Sequence, residues 1–143
     1  MLGALTVTGP LMAGGSKPEI LLSVIMQNNE TAEMSKTVPL ELNDPPELVH
    51  FSVLPIVTQN YLWDATLLEN GAVMVQFDPG GTTALEAATR LNMGKIIAVL
   101  FNGRILLSAV VDRPITNGRL LLRGITPEEF QKLQAFIKKR RAD

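Results

Sequence analysis

Thr83–Ile137 reads TALEAATRLNMGKIIAVLFNGRILLSAVVDRPITNGRLLLRGITPEEFQKLQAFI, and the centre of this stretch decides the fold. Two apolar runs, Ile96–Phe101 and Ile105–Val111, lie on either side of Asn102-Gly103. An Asn-Gly pair between apolar runs is a strong β-hairpin signal, because both turn residues must take a positive φ. Both runs are apolar at successive positions, which is typical of strands covered on both faces. The stretch therefore predicts a hairpin of two central strands.

Helix starts flank this hairpin on both sides. Thr83 is followed three residues later by Glu86, and Thr126 is followed in the same way by Glu129. This spacing is that of a capping box, in which two side chains satisfy two orphaned N–H groups. Pro127 follows Thr126 at the first helical position, where its missing N–H costs nothing. Apolar residues then recur at helical spacing, at Leu85, Ala88 and Leu91 and at Phe130, Leu133 and Ile137.

Further strands are predicted along the rest of the chain, at Glu19–Gln27, Lys36–Leu42, Leu48–Leu54, Trp63–Glu69, Ala72–Phe77 and Arg119–Arg123. Pro39 lacks a donor and makes its strand an edge strand. Asn70-Gly71 predicts a second hairpin. In the last strand, Leu120 and Leu122 alternate with residues that face outward. Together these elements predict an α+β fold with an antiparallel or mixed sheet and two main helices.

The composition is that of a globular chain and gives no sign of a nucleic-acid partner. Of 143 residues, 46% are hydrophobic and 19% charged, and the net charge is −1. One basic cluster, Lys138–Arg141, lies in the last turn of a predicted helix, where cations are favoured by the helix dipole. We interpret it as a solvated helix end rather than as a patch for nucleic acid or acidic lipid. The chain has no cysteine, which excludes disulfides and thiolate metal sites.

The N-terminus is uncharged from Met1 to Ala13, and Ala13-Gly14-Gly15 supplies the small residues that a signal peptidase requires. A basic region, which signal peptides normally have, is absent from this segment. Residues 1–16 are therefore interpreted either as a signal-sequence remnant or as a disordered terminus or first strand, Ala4–Thr8. We expect no spanning helix, because no window holds about 18 consecutive apolar residues.

Catalysis is not predicted, and neither is a metal or cofactor. A metal site needs three or four converging ligands, and the chain has one histidine, His50. Gly80-Gly81 before a helix superficially resembles a phosphate-binding turn, but it lacks the P-loop lysine and spacing. We interpret these glycines as a strand-to-helix turn that requires a positive φ. Paired carboxylates such as Asp64 and Glu69, or Asp78 and Glu86, are interpreted as solvated surface charges.

Several motifs resemble, in order and spacing, the periplasmic head subdomain of SecD, an accessory subunit of the bacterial protein-export machinery. The resemblance covers about residues 54–137. The matching positions are Val57–Asn60 with Trp63–Ala65; Phe77–Arg90 with its terminal Thr89; Gly94-Lys95 with Ala98, Asn102, Gly103 and Ile105; Arg113–Ile115 with Gly118; and Gly124 with Thr126 and Glu129. Val110, Asn117 and Arg123 depart from the family pattern. The resemblance does not include the membrane helices or the basal periplasmic subdomain of SecD.

This resemblance implies a SecD head-like fold for residues 54–143 and an extracytoplasmic setting, in the periplasm or cell envelope. It does not imply proton-driven translocation, for which this sequence contains no intramembrane acid. Residues 17–53 are expected to form an N-terminal β extension.

The leading functional hypothesis is a non-catalytic binding or interaction domain, linked to protein export, that contacts unfolded polypeptide or an envelope protein. Because only two helices are available to cover the apolar hairpin, we expect its outer face and the neighbouring edge Leu120–Arg123 to form the contact surface, through Val99, Phe101, Leu107, Leu121 and Arg123. The alternative is that the N-terminal strands and Trp63 complete the cover. A second hypothesis is a structural envelope module with no role in export that self-associates as a homodimer through the same hairpin.

Overall fold

The fold is described by a computed structural model, which covers residues 21–30, 34–38 and 45–142. Its elements, in chain order, are β1 (Leu22–Met26), β2 (Met34–Val38), β3 (Glu47–Phe51), β4 (Val57–Thr58), a 3-10 turn (Gln59–Tyr61), β5 (Leu62–Leu67), β6 (Val73–Phe77), α1 (Pro79–Leu91), β7 (Ile96–Phe101), β8 (Arg104–Val110), β9 (Arg119–Leu122) and α2 (Pro127–Ala142). All the strand pairings among these elements are antiparallel. The predicted α+β fold with two main helices is confirmed.

Three sheets form from these strands. A four-stranded sheet has the order β4-β1-β7-β8, a three-stranded sheet has the order β5-β6-β9, and β2 and β3 form a two-stranded sheet. The hairpin of β7 and β8 is present, but only β7 is a central strand. The prediction that β8 is also central is wrong, since β8 pairs with β7 alone among the described strands and its side chains are exposed or half-buried.

The two Asn-Gly pairs predicted to form hairpin turns differ in conformation. Asn102 and Gly103 have φ of 50° and 84°, as the two-residue hairpin turn requires. At the other turn only Gly71 has a positive φ, of 86°. There the Leu68 carbonyl accepts a hydrogen bond from the Gly71 N–H at 3.0 Å, and Leu68 N–H donates to the Ala72 carbonyl at 2.8 Å. The loop therefore has three residues, and the predicted positive φ at its asparagine is corrected.

Helix α1 begins at Pro79, and its N-cap lies five positions before the predicted N-cap, Thr83. Its N-cap is Asp78, whose carboxylate accepts a hydrogen bond from Gly81 N–H at 2.8 Å. Glu86 instead pairs with Arg90, one turn later, at 2.8 Å. Aspartate is a strong N-cap and proline is favoured directly after it, so this start prevails over the capping box predicted downstream.

Gly81 is required by packing rather than by backbone conformation. It lies inside α1, and a Cβ at this position would lie 2.9 Å from the Tyr61 Cβ and 3.0 Å from the Phe77 Cβ. Positive φ values in the described glycines occur elsewhere. The predicted strand-to-helix turn with a positive φ at Gly80-Gly81 is therefore wrong.

The start of α2 is as predicted. Thr126 Oγ1 accepts from Glu129 N–H at 3.1 Å, and Glu129 Oε1 accepts from Thr126 N–H at 3.0 Å. These reciprocal bonds confirm the capping box, with Pro127 as the first helical residue.

The main core lies between the four-stranded and three-stranded sheets. Both helices contribute to it, α1 through Leu85 and α2 through Leu133 and Ile137. Burial of these side chains against strand residues such as Val75 and Val99 supplies the hydrophobic stabilisation of the fold.

A second core covers the other face of the four-stranded sheet. Ile25, Ile96 and Ala98 pack there against Val49 and Phe51 of the two-stranded sheet. Both faces of β7 are thus covered, one by the main core and the other by β2 and β3. Strand β1 also lies between β4 and β7, so residues 22–26 complete the sheet of the C-terminal part.

Some predictions concern positions outside the described residues. These are residues 1–16 with their possible signal sequence or first strand, the strand positions 39–42 that include Pro39, and the start of the strand predicted at Glu19. Within the described ranges, no helix is both long and apolar enough to cross a membrane.

Candidate functional site

The structure separates the residues predicted to form the contact surface. Val99 and Phe101 are 1% and 0% exposed and point into the main core, so a partner cannot reach them on the folded protein. Their inclusion in the surface is corrected. Leu107 is half-buried on β8. Leu121 is half-buried and Arg123 is exposed, and both lie at β9.

Alternation along β9 creates an outward-facing row. Leu120 and Leu122 are buried in the main core, as predicted, while Arg119 and Leu121 lie on the other side. Continued for one residue past the end of β9, the same alternation places the exposed Arg123 on that side. The register continues this side across the sheet, because Leu121 lies beside Met74 and then Thr66, and Arg119 lies beside Gln76 and then Asp64. We call this surface the outer face; it comprises Asp64, Thr66, Met74, Gln76, Arg119, Leu121 and Arg123.

Within the described residues, neither hydrophobic core includes a residue of the outer face. Val73, Val75 and Leu122 point to the opposite side, where the described parts of both helices and the four-stranded sheet form the main core. A shallow depression on the outer face is lined by residues that include Trp63, Met74 and Arg119. The alternation of apolar and polar residues in Val73–Phe77 and Arg119–Leu122 was the sequence signal for this face. That alternation does not reveal which strands are neighbours in the sheet.

One edge of the three-stranded sheet is closed by α2. Arg140 donates to the Leu62 carbonyl at 2.8 Å and to the Asp78 carboxylate at 2.6 Å. Arg141 lies over the Trp63 ring, with its guanidinium carbon 4.5 Å from the ring centroid. These side chains cover the β5 edge. Exposed strand edges generally need such protection, because their free N–H and C=O groups can pair with another chain. The predicted solvated helix end is therefore wrong for Arg140, whereas Arg141 remains exposed where it lies over Trp63.

Lys138 and Lys139, the other half of the basic cluster, are exposed. Trp63 takes part in the closed β5 edge and is 44% exposed, so it does not contribute to the cover of the β7–β8 hairpin.

The β9 edge of the same sheet has no hydrogen-bonded partner strand among the described residues, although β8 comes close to β9 in space. Antiparallel pairs alternate between those that exchange two hydrogen bonds and those that exchange none. Phe77 N–H donates to the Gly118 carbonyl at 2.8 Å, so the Met74–Leu121 pair, three residues further on, is one that exchanges none. The N–H and C=O of Leu121 therefore point away from β6.

This open edge is short and has defined ends. The Arg119 N–H is occupied, since it donates to Asn117 Oδ1 at 3.0 Å. Beyond Arg123, a Cβ added to Gly124 would lie 3.5 Å from Leu106 of β8. Within β9 the open edge thus comprises the Arg119 carbonyl and both backbone groups of Leu121, and the same alternation extends it to the N–H of Arg123, the next residue.

Charge on the outer face is concentrated beside this open edge. Arg119 Nε donates to Gln76 Oε1 at 2.7 Å, which holds its guanidinium on the outer face. Among the described residues, neither Arg119 nor Arg123 has an ion-pair partner. Other arginines do form ion pairs, namely Arg90, Arg104, Arg113 and Arg140.

An ion pair fastens the start of α2 to the tip of the β7–β8 hairpin. Arg104 donates to both oxygens of Glu129 at 2.8 Å and to the Gly124 carbonyl at 3.0 Å. The hydrogen bonds from Arg104, with smaller contributions from Thr126 and Asn102, lower the pKa of Glu129 from 4.5 to about 2. The residues that follow β9 are thereby held in place at neutral pH.

The groups considered for catalysis are not brought together. His50 Nδ1 lies 2.7 Å from Ser35 Oγ on the exposed side of the two-stranded sheet. Asp78 and Glu86 lie in separate ion pairs, with Arg140 and Arg90. The described part of the chain contains no group of three or more His, Cys, Asp or Glu side chains placed to hold a metal ion.

Known proteins resemble this chain in sequence and in fold. SecD from Thermobaculum terrenum is 29% identical over 102 residues, which cover 66% of this chain and 19% of that protein. SecDF from Thermus thermophilus is 33% identical over 57 residues, or 40% of this chain and 8% of that protein. This chain therefore spans only a small part of the length of either relative.

Two solved SecDF structures share the fold with a TM-score of 0.56 each. One is of a membrane component SecDF that enhances protein export, at 20% identity over 82% of this chain and 61% of that chain. The other shows SecDF in a super-membrane-facing form, at 23% identity over 82% of this chain and 18% of that chain. A family model for the SecDF P1 head subdomain matches residues 36–139, which extends the resemblance noted in the sequence toward the N-terminus. The chain belongs to the SecDF P1 head subdomain family.

Proposed function

We propose that this chain is a non-catalytic, extracytoplasmic binding domain that holds extended polypeptide along the open edge of β9 during protein export. Membership of the SecDF P1 head family supports the link to export. The observation that carries the proposal is the contrast between the two edges of one sheet. Side chains of α2 close the β5 edge, whereas the β9 edge is open beside an uncovered face.

An open edge suits a partner that has no fixed structure. An extended chain adds to a sheet edge through main-chain hydrogen bonds, which do not depend on its sequence. Leu121 presents both an N–H and a C=O at the centre of the open edge, and its half-buried side chain offers an apolar contact on the outer face. These features favour unfolded or emerging polypeptide over a folded envelope protein as the partner.

Leu121→Pro tests this proposal directly. Proline removes the N–H that points away from β6, and proline is tolerated on edge strands. Leu121→Ala is the matched control, since it also removes the leucine side chain but keeps the N–H. Binding of a labelled, permanently unfolded protein is measured by fluorescence anisotropy, and thermal unfolding confirms that both variants fold. We expect Leu121→Pro to bind at least several-fold more weakly than Leu121→Ala, and equal binding by the two variants would contradict the proposal.

Self-association through β9 is disfavoured by charge. A second copy pairing antiparallel about Leu121 would set Arg119 against the partner's Arg123, and like charges directly opposite each other destabilise a strand pair. Sedimentation at increasing protein concentration distinguishes the two functions. A monomer throughout excludes the homodimer, and a dimer that Leu121→Pro dissociates would replace polypeptide binding as the function of this edge.

The extracytoplasmic location has its own test. The gene is expressed with its native upstream DNA, the cells are fractionated, and the N-terminus of the mature protein is sequenced. Export with cleavage near residues 13–16 supports this location, and an intact cytoplasmic protein beginning at Met1 contradicts it.

A further inference from the structure

We infer that the open edge of β9 prefers extended segments in which two acidic residues flank an apolar residue at alternate positions. This inference rests on the proposed function, because it specifies which polypeptides the same edge would bind best. It is carried by Arg119 and Leu121, whose side chains share the outer face, and by Arg123, the residue directly after β9, which the same alternation places on that face.

Strand geometry converts this row into a sequence pattern. When an extended segment pairs with β9, each of its residues directly opposite Arg119, Leu121 and Arg123 points to the same face as that residue. These opposing residues are two positions apart in the segment, because side chains alternate along a strand. The pattern is acidic-x-apolar-x-acidic, where x is any residue. It reads the same in both directions, so it applies to parallel and antiparallel pairing alike.

The two arginines are available for such pairs. Within the described residues neither has an ion-pair partner, and Arg119 is already positioned by its bond to Gln76. Asp64 is the acidic residue that shares their face, and it lies on β5, two strands from β9. Asp64 and Arg119 line the same depression, but they do not form an ion pair. One carboxylate beside two unpaired guanidinium groups leaves a net positive charge on this part of the outer face.

The test uses three short peptides of one design, Glu-x-Leu-x-Glu, Gln-x-Leu-x-Gln and Lys-x-Leu-x-Lys, with identical residues at x. Exposed ion pairs contribute about a 1.4- to 5-fold change in affinity each. For two pairs we therefore expect the glutamate peptide to bind about 2- to 25-fold more tightly than the glutamine peptide at low salt, and the lysine peptide to bind most weakly. The difference should shrink as ionic strength rises, because the pairs are exposed.

Reversing the charge of Arg119 and Arg123 tests whether these two arginines cause the preference for acidic peptides. In the double variant Arg119→Glu with Arg123→Glu, the order of the glutamate and lysine peptides should reverse. Arg113→Glu with Lys132→Glu is the matched control, since it changes the net charge equally at exposed positions away from β9. The control should retain the preference of the unmodified protein.

The possible results separate the inference from the function on which it rests. Reversal in the first variant and not in the control supports the inference. Equal binding of all three peptides that is lost in Leu121→Pro overturns the acidic preference and leaves the proposed function in place. Binding that is unaffected by Leu121→Pro, or no binding of any peptide or of unfolded protein, overturns both.

Discussion

Gly118 lies immediately before β9 and packs against Thr82, in the first turn of α1. Its φ is +66°, and a Cβ added here would meet Thr82 and lie 3.1 Å from Gln76 Nε2. Its carbonyl accepts the hydrogen bond from Phe77 that sets the register of β9. Glycine is thus required both by conformation and by space, and this residue determines which backbone groups face the open edge.

Gly118→Ala should destabilise the fold by more than Gly71→Ala. Gly71 has a φ of +86° with nothing within 4 Å of an added Cβ, so its substitution costs only the left-handed strain, about 1–2 kcal/mol. At Gly118 the clash adds about 1–3 kcal/mol. Urea unfolding of the two variants measures the difference, and equal losses would show that Thr82 and Gln76 do not confine the chain at this position.

Thr89 connects α1 to the loop that leads into β9. It is fully buried, and its Oγ1 donates to the Leu85 carbonyl at 2.8 Å and accepts from Ile115 N–H at 2.9 Å. A buried N–H left without a partner costs about 1–3 kcal/mol, so Thr89 holds residue 115 against the helix. The family motif that contains Thr89 therefore has a structural explanation.

At the scale of elements, α2 is fixed to the fold at both of its ends. Its first turn is held by Arg104 of β8 through Glu129, and its last turn by Asp78, the N-cap of α1, through Arg140. The helix thereby closes the β5 edge while leaving β9 open. Which edge of the three-stranded sheet is closed thus depends on where α2 docks.

The Arg104–Glu129 pair should make stability depend on pH. Because the pKa of Glu129 is lowered from 4.5 to about 2 in the folded protein, its carboxylate stabilises the fold above pH 4.5. That contribution is lost as the pH falls from 4.5 toward 2, since a lowered pKa means that the unfolded state binds more protons there.

Glu129→Gln should therefore reduce the free energy of unfolding at pH 7, and its difference from the unmodified protein should narrow between pH 5 and pH 2. Glu128→Gln, at the neighbouring exposed position of the same turn, is the control. Urea unfolding across this pH range provides the measurement. A difference that stays constant with pH would contradict the assigned role of Glu129.

For the molecule as a whole, individual turns and helix caps could be predicted from the sequence, but the packing between strands that are distant in sequence could not. The Asn102-Gly103 turn and the Thr126–Glu129 capping box depend on a few adjacent residues, and the sequence predicted both. The start of α1 was missed because two competing caps, Asp78 and Thr83, lie close together and the first prevails.

The candidate surface was predicted only in part for a similar reason. An apolar run such as Ile96–Phe101 shows that a strand is covered, but not what covers it. Val99 and Phe101 are covered by the main core, to which the three-stranded sheet and both helices contribute, while β2 and β3 cover the opposite face of β7 at Ile96 and Ala98. Neither cover could be inferred from the apolar run itself, because the residues that form it lie elsewhere in the sequence. Leu121 and Arg123 were identifiable because alternation within β9 is local.

Amide NMR on the labelled protein shows whether extended polypeptide binds to the backbone of β9. On addition of a permanently unfolded protein, we expect shifted signals and slowed hydrogen exchange for the N–H of Leu121, which points to the open edge, and for the N–H of Arg123, directly after the strand. The N–H groups of Leu120 and Leu122, already bonded to β6, should change little. Binding that leaves the Leu121 and Arg123 amides unchanged while it shifts signals elsewhere would show that polypeptide does not pair with β9.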